Sequence, residues 1–156
     1  MTERWLGIVV VGDKVTLVAA EVEGQNPLVL QSDQTFALQP GNRSEAYATI
    51  SQQLANYARE NAISRVFVKE SAVSGGAATM SLLQSAELRG SVMASLGAIA
   101  PTECKSKASI SKTFGDRTVD EYISDAEYWK KEVIGVDLRK GSREAAMVLL
   151  AARKEL

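Results

Sequence analysis

The chain opens with apolar residues set in short, interrupted runs. Trp5 to Val11 is apolar and β-branched, Gly12-Asp13 has the composition of a hairpin turn, and Val15 to Val22 carries Thr16, Leu17 and Val18. A second turn follows at Glu23-Gly24-Gln25-Asn26-Pro27. Leu28 to Leu38 then alternates, with Leu28, Leu30, Phe36 and Leu38 against Gln31, Asp33 and Gln39. Three strands joined by tight turns predict an antiparallel meander.

Pro40-Gly41-Asn42 breaks the pattern, and Asn42 or Ser44 can cap a helix. That helix, Glu45 to Asn61, places Tyr47, Ile50, Leu54 and Tyr57 on one face at spacings of three and four. Arg65 to Val68 reads as a buried strand ending at Lys69-Glu70, and Ser71 to Ala77 as a small glycine-bearing loop. A helix is predicted from about Thr79 to Leu96, a short strand at Ala98-Ile99-Ala100 stopped by Pro101, and a basic helix over Thr102 to Thr113. Val119 to Val133 reads as another helix, Gly135 to Lys140 as a break, and Gly141 or Ser142 as the start of a last helix through Glu155. Its apolar face carries Ala145, Ala146, Val148, Leu149 and Ala152. The order β-β-β-α-β-α-β-α-α-α predicts a mixed five-stranded α/β sheet flanked by helices, in one domain over 1–156.

Composition narrows the chemistry. The 156 residues include 18 Lys+Arg, 19 Asp+Glu, one cysteine and no histidine. Without histidine there is no His-dependent triad and no imidazole acid or base. Cys104 alone forms neither an internal disulfide nor a four-cysteine zinc site. Chemistry must rest on carboxylates, lysines, hydroxyls, the thiol or a bound metal. The net charge of −1 speaks against a strongly electrostatic, non-specific nucleic-acid binder. Charge is nearly even along the chain: residues 1–102 carry 7 basic and 9 acidic groups, and residues 103–156 carry 11 and 10. No signal peptide or membrane-length apolar run is visible, so the expectation is a cytoplasmic protein with no membrane partner.

The element order is that of the ribonuclease H-like fold, and short motifs resemble one family within it. Leu6-Gly7-Ile8 resembles the opening of strand one in RuvC-type Holliday-junction resolvases. Val66-Phe67-Val68-Lys69-Glu70 resembles their fourth strand, which ends in an acid. Leu83, Glu87, Leu88, Arg89 and Gly90 resemble the helix after it, and Ala100-Pro101-Thr102 with Lys105 and Lys107 the segment after strand five. Arg143-Glu144-Ala145-Ala146 lies where the family's last helix presents acids. The resemblance spans nearly the whole chain and is closest to small bacterial RuvC-like proteins.

This resemblance implies clustered carboxylates holding magnesium or manganese, since hard cations prefer oxygen ligands and can activate water for phosphodiester cleavage. Carried over, Glu70 matches the strand-four acid and Glu144 the best acid of the last helix; both are the candidate catalytic and metal residues. A second acid one turn before Glu144 has no counterpart, because Gly141 and Ser142 stand there. The first strand departs most: the family's aspartate after Gly-Ile is Val9 here, and valine offers no oxygen. Asp13, beyond the turn, cannot replace it without a shift of the strand.

Plainer roles stand beside these. Glu70 can end its strand in solvent or pair with a lysine, and Glu144 is favoured near a helix start by the dipole. Ser74-Gly75-Gly76-Ala77 can cradle an anion or be an ordinary loop. Actin-like and sugar-kinase ATPases share the fold class, but the Val11-Gly12-Asp13-Lys14 hairpin lacks their phosphate-binding Gly-Thr or Gly-Ser. Lys105, Lys107, Lys112 and Arg117 form one basic segment, and Arg139, Lys140 and Arg143 a second. Together they could line a backbone-contacting groove for DNA or RNA, or be solvated loops. Tyr128 and Trp129 could stack on a base or pack on the sheet, and Cys104 reads as a small, semi-buried side chain.

The leading expectation is therefore a RuvC-like protein with a degraded metal site, needing no cofactor, non-catalytic or very weakly catalytic, that binds nucleic acid or a partner protein. By resemblance it works as a homodimer. The alternative is a metal-dependent nuclease using Glu70, Glu144 and a third acid from Asp116, Asp120 or Glu121, with bound magnesium or manganese. A purely structural module is the third reading.

Overall fold

The computed structural model describes residues 2–71 and 78–156, so the Ser74–Ala77 loop lies outside the described residues. The meander forms as the pattern predicts: β1 (Glu3–Val11), β2 (Lys14–Val22) and β3 (Leu28–Ala37) pair antiparallel in sequence. Gly12 turns the first hairpin at φ +58°, a conformation that glycine adopts without strain. The first helix, α1 (Arg43–Glu60), is capped by the Asn42 side chain, which accepts from the Glu45 N–H. β4 (Arg65–Lys69) then runs parallel to β1 on the meander's free edge.

Beyond β4 the structure corrects three boundaries. α2 (Met80–Gly97) carries its last turns through the segment expected as a strand: Ala100 N–H still donates to the Leu96 carbonyl. Pro101 ends that turn, and the fifth strand, β5, begins after it at Thr102–Lys105, parallel to β4. The basic helix is correspondingly shorter. α3 (Lys107–Phe114) starts only after Ser106, whose hydroxyl accepts from Ser109 N–H.

The predicted 119–133 helix is two. α4 (Val119–Ser124) ends at Asp125, whose extended backbone breaks the helix and whose carboxylate caps α5 (Ala126–Glu132) by accepting from Tyr128 N–H. A sixth strand, β6 (Val133–Gly135), joins parallel to β3, giving the order β5-β4-β1-β2-β3-β6 rather than a five-stranded sheet. Gly135 makes this possible: at φ +94°, a Cβ there would lie 2.6 Å from the Leu30 carbonyl oxygen. A 3-10 turn at Lys140–Ser142 leads into α6 (Arg143–Lys154).

Strand alternation divides the core into two. Leu6, Ile8, Val10, Val66 and Val68 face α1 and α2; Trp5, Val9 and Phe67 face α6. β3 changes face midway. Ala20 pairs with Leu30 and Ala19 with Ser32, so Gln31 is an extra residue in a bulge. Leu28 and Leu30 therefore face α6, whereas Phe36 and Leu38 pack toward α1. Asp33, read in the sequence as solvent-facing, turns inward toward α6. Among the described residues, no helix is long and apolar enough to cross a membrane.

Candidate functional site

α6 lies directly against β1, and Gly7 is the reason. A Cβ at Gly7 would drive into the Ala145 carbonyl oxygen and lie 3.0 Å from Leu149 Cγ. The missing side chain lets the helix backbone rest on the strand, with the first turn of α6 over the ends of β1 and β4. Nearly all of α6 is buried, from Ala145 to Arg153.

Three side chains meet at that turn. Val9 faces α6 in the buried core. The parallel register pairs Ile8 with Val68, so the next pair along is Val9 with Lys69. Lys69 points to the same side as Phe67, and its ammonium forms an ion pair with Glu144 Oε1. The side chains are only 18% and 26% exposed, and among the described residues Glu144 Oε1 has no other polar partner. The residue that meets Glu144 from β4 is thus a cation.

Glu70 follows Lys69 and by strand alternation belongs to the other side of the sheet. Its N–H donates to the Lys105 carbonyl, extending the β4–β5 ladder. Its side chain borders a groove with Arg89, Met93 and Cys104, on the α2 side. The structure does not bring Glu70 to Glu144, because consecutive residues of an extended chain face opposite ways. Carrying the strand-four acid onto Glu70 counted from the end of the motif; the register with β1 makes Lys69 the residue beside Val9.

A second carboxylate does face α6: Asp33, which the sequence reading did not select. Its side chain is 3% exposed. Oδ1 accepts from Ser142 Oγ at 2.5 Å and from Arg139 Nη2 at 2.7 Å, and Oδ2 accepts from Arg139 N–H at 2.8 Å. Burial pushes this carboxyl up, but the hydrogen bonds from Arg139 and Ser142 outweigh it and hold the group below the usual carboxylate range. The clasp fixes the segment before α6 to β3. The signal for it was the bulge at Gln31, which no local pattern announces.

Magnesium or manganese, which the resemblance implies, requires several oxygen ligands. The residues present do not fit such an ion. Val9 supplies no oxygen, Glu144 is held by Lys69, and Asp33 is held by Arg139 and Ser142. Among the described residues, no three Cys, Asp or Glu side chains cluster in ligating range. The acids considered as third ligands have local tasks: Asp116 accepts from the Tyr122 hydroxyl, Asp120 pairs with Lys107, and Glu121 completes the capping box of α4 with Thr118.

The basic segments separate. Lys105 is buried, its ammonium 2.6 Å from Glu155 and over the Phe67 ring, so it does not reach a ligand on the surface. Lys107 is paired with Asp120 at 3.1 Å, and Arg117 with Asp125 at 2.9 Å while lying on the Tyr122 ring. Lys112 is exposed near the C-terminal end of α6, since its neighbour Thr113 contacts Glu155. Arg139, Lys140 and Arg143 stand at the other end of α6, roughly 18 Å away for a helix of this length. There Lys140 is exposed, Arg139 is half-exposed although clasped to Asp33, and Arg143 donates to the Ile123 carbonyl at 2.9 Å.

The aromatic pair does not face solvent as a platform. Trp129 is buried and its indole N–H donates to the Tyr122 carbonyl at 2.8 Å. Tyr128 is partly buried against the core, its ring tilted on Tyr122 and edge-on to Trp129. Cys104 is semi-buried, its sulfur 3.6 Å from Met93 Sδ. Burial and the nearby Glu70 push the thiol up, against a smaller opposing effect of Arg89.

No family model matches the chain. No curated protein matches it either. Solved structures do. The chain is similar to Thermus thermophilus RuvC in complex with a Holliday junction substrate, with a TM-score of 0.72 at 14% identity over 97% of this chain and 93% of that one. A second Thermus thermophilus RuvC structure gives 0.71 at 14% identity over 97% and 95%. The yeast mitochondrial Holliday junction resolvase Ydc2 gives 0.65 at 14% identity over 97% of this chain and 78% of that one. At such identity the likeness is one of architecture, and it agrees with the element order and register above: the chain has a RuvC-like, ribonuclease H-like fold.

Proposed function

We propose that this RuvC-fold protein binds nucleic acid in the cytoplasm and does not cleave it. The observation that carries this reading is the Lys69–Glu144 ion pair beside Val9. Phosphodiester hydrolysis of the two-metal kind needs carboxylates free to hold cations that stabilise the attacking and leaving oxygens. Here the carboxylates on the α6 face each already have a cation from the chain itself.

Binding is a weaker demand than cleavage. It needs positive charge placed against a phosphate backbone, and Lys140, Arg139 and Arg143 at the start of α6 supply it. The similarity to a RuvC bound to a Holliday junction supports branched DNA as the first ligand to try. The resemblance also supports a second copy of the chain as partner. A candidate face for it is the exposed apolar group of Val11, Met80, Leu82 and Leu83, where Ser85 Oγ donates to the Gly12 carbonyl and holds α2 to the first hairpin.

The test is a binding titration against branched and single-stranded DNA over a range of salt. Binding should weaken as salt rises, and Lys140→Ala, which leaves the Asp33 clasp intact, should lower affinity and flatten the salt slope by up to about one counterion. Undetectable affinity at low salt would remove nucleic acid from the proposal.

A further inference from the structure

We infer that the α6 face keeps the frame of a divalent-cation site and fills it with the chain's own ammonium, so that Val9 and Lys69 are what separate this protein from a metal-binding one. The inference concerns the site of the function proposed above, but it does not depend on nucleic acid being the ligand.

The frame consists of three elements converging on one point. β1 and β4 are parallel neighbours paired as far as Ile8 and Val68, so Val9 and Lys69, one residue further along each strand, belong to one face of the sheet. Glu144 descends onto them from the first turn of α6, which Gly7 allows to lie against the strand. Carboxylates at these three positions would present oxygens from two strands and a helix to a single point, the arrangement a hard cation needs. In this chain one of the three is apolar and one is a cation. Lys69 neutralises Glu144 with a single positive charge carried on a covalent tether. A free divalent ion would have to displace that ammonium, accept a single carboxylate and sit beside the displaced charge.

Among the described residues, none offers a further free carboxylate at this point. Asp33 is engaged by Arg139 and Ser142, and Glu70 lies toward Arg89 and Cys104 across the sheet. The tethered cation also explains how Glu144 Oε1 is sheltered although, among the described residues, no hydrogen-bond donor reaches it and only the Lys69 ion pair offsets its charge.

The experiment uses the full chain and manganese alone, followed by the loss of the free-ion electron paramagnetic resonance signal. The unmodified protein should bind no manganese at millimolar concentration. The Val9→Asp/Lys69→Glu variant should bind one ion with a Kd in the range of roughly 0.1–1 mM, typical of weak oxygen-ligand sites. Its Tm should rise by several degrees with manganese, and adding Glu144→Gln should abolish both effects.

Manganese binding by the unmodified protein that is lost in Glu144→Gln would overturn the inference. So would a folded double variant that binds none. Should the double variant not fold with or without manganese, Lys69→Glu alone decides: measurable binding upholds the inference, and a folded chain blind to 10-fold higher manganese, about 10 mM, defeats it. None of these outcomes bears on the DNA titration, so a failed titration leaves this inference standing, whereas manganese binding by the unmodified protein would count against the absence of cleavage and not against DNA binding.

Discussion

The Lys69–Glu144 pair makes a quantitative prediction through a double-mutant cycle. Lys69→Met keeps the aliphatic stem but leaves the Glu144 carboxylate without its cation. Glu144→Gln keeps the shape but leaves the ammonium without its anion. Breaking a fully buried pair by removing one partner costs about 3–5 kcal/mol. Here the side chains are 18% and 26% exposed, so an orphaned group can recruit water. Each single variant should therefore lose about 1–3 kcal/mol, less than the fully buried case. The double variant removes both charges together and should lie within about 1 kcal/mol of the parent, since replacing a buried pair by neutral groups is often close to neutral. The coupling energy, the sum of the two single losses less that of the double variant, is then about 1–6 kcal/mol. Urea unfolding followed by far-UV circular dichroism measures it, provided the m-value is unchanged across the four proteins. Because the pair is sheltered, the coupling should change little when ionic strength rises from about 0.05 to about 0.5 M. A coupling below about 0.3 kcal/mol, or one that vanishes with salt, would identify an ordinary surface pair and refute the reasoning.

Three further outcomes follow from the same geometry. Gly7→Ala should destabilise by about 1–3 kcal/mol or more through overpacking, because its methyl group meets the Ala145 backbone, and the displaced α6 should show faster amide exchange in its first turn. Asp33→Asn should cost about 1–3 kcal/mol at neutral pH by weakening the clasp to Arg139 and Ser142. The Asp33 carboxyl lies below its unfolded value when folded, so its contribution is present above the unfolded pKa and lost as pH falls through the folded one. The gap between parent and Asp33→Asn in urea titrations should thus narrow as pH falls below the ordinary carboxylate range, and a gap independent of pH would contradict this assignment. Cys104, with its thiol pushed up by burial and Glu70, should react with iodoacetamide at neutral pH at least about 10-fold more slowly than free cysteine.

What the sequence made legible was what local pattern encodes. The meander, α1 with its Asn42 cap, β4 and α6 follow from alternation, spacing and capping residues, and the structure keeps them within a residue or two. The errors have physical causes. Ala98-Ile99-Ala100 is apolar enough for a strand, but hydrogen bonds back to Leu96 hold its backbone in the last turn of α2, and the strand waits for Pro101 to pass. Asp125 reads as one polar residue in a helical stretch until its carboxylate is seen capping α5. β6 is three residues long, and its pairing with β3 depends on a positive φ at Gly135.

The site was less legible than the fold, for the same reason. A motif comparison finds an acid near the end of β4 and accepts Glu70, because a lone sequence does not state which neighbour faces the last helix. Pairing with β1 decides that, and it selects Lys69. Asp33 was hidden by a bulge one residue long. Lys105 looked like a surface base because its segment was read as helix; as the end of β5 it is buried against Phe67 and Glu155.

A RuvC-like fold without nuclease chemistry is put to the test by incubating a four-way DNA junction and manganese with an excess of the protein. The junction should remain uncut. Cleavage that appears with the parent and disappears in Glu144→Gln would contradict it, because it would show a metal reaching the carboxylate that Lys69 holds.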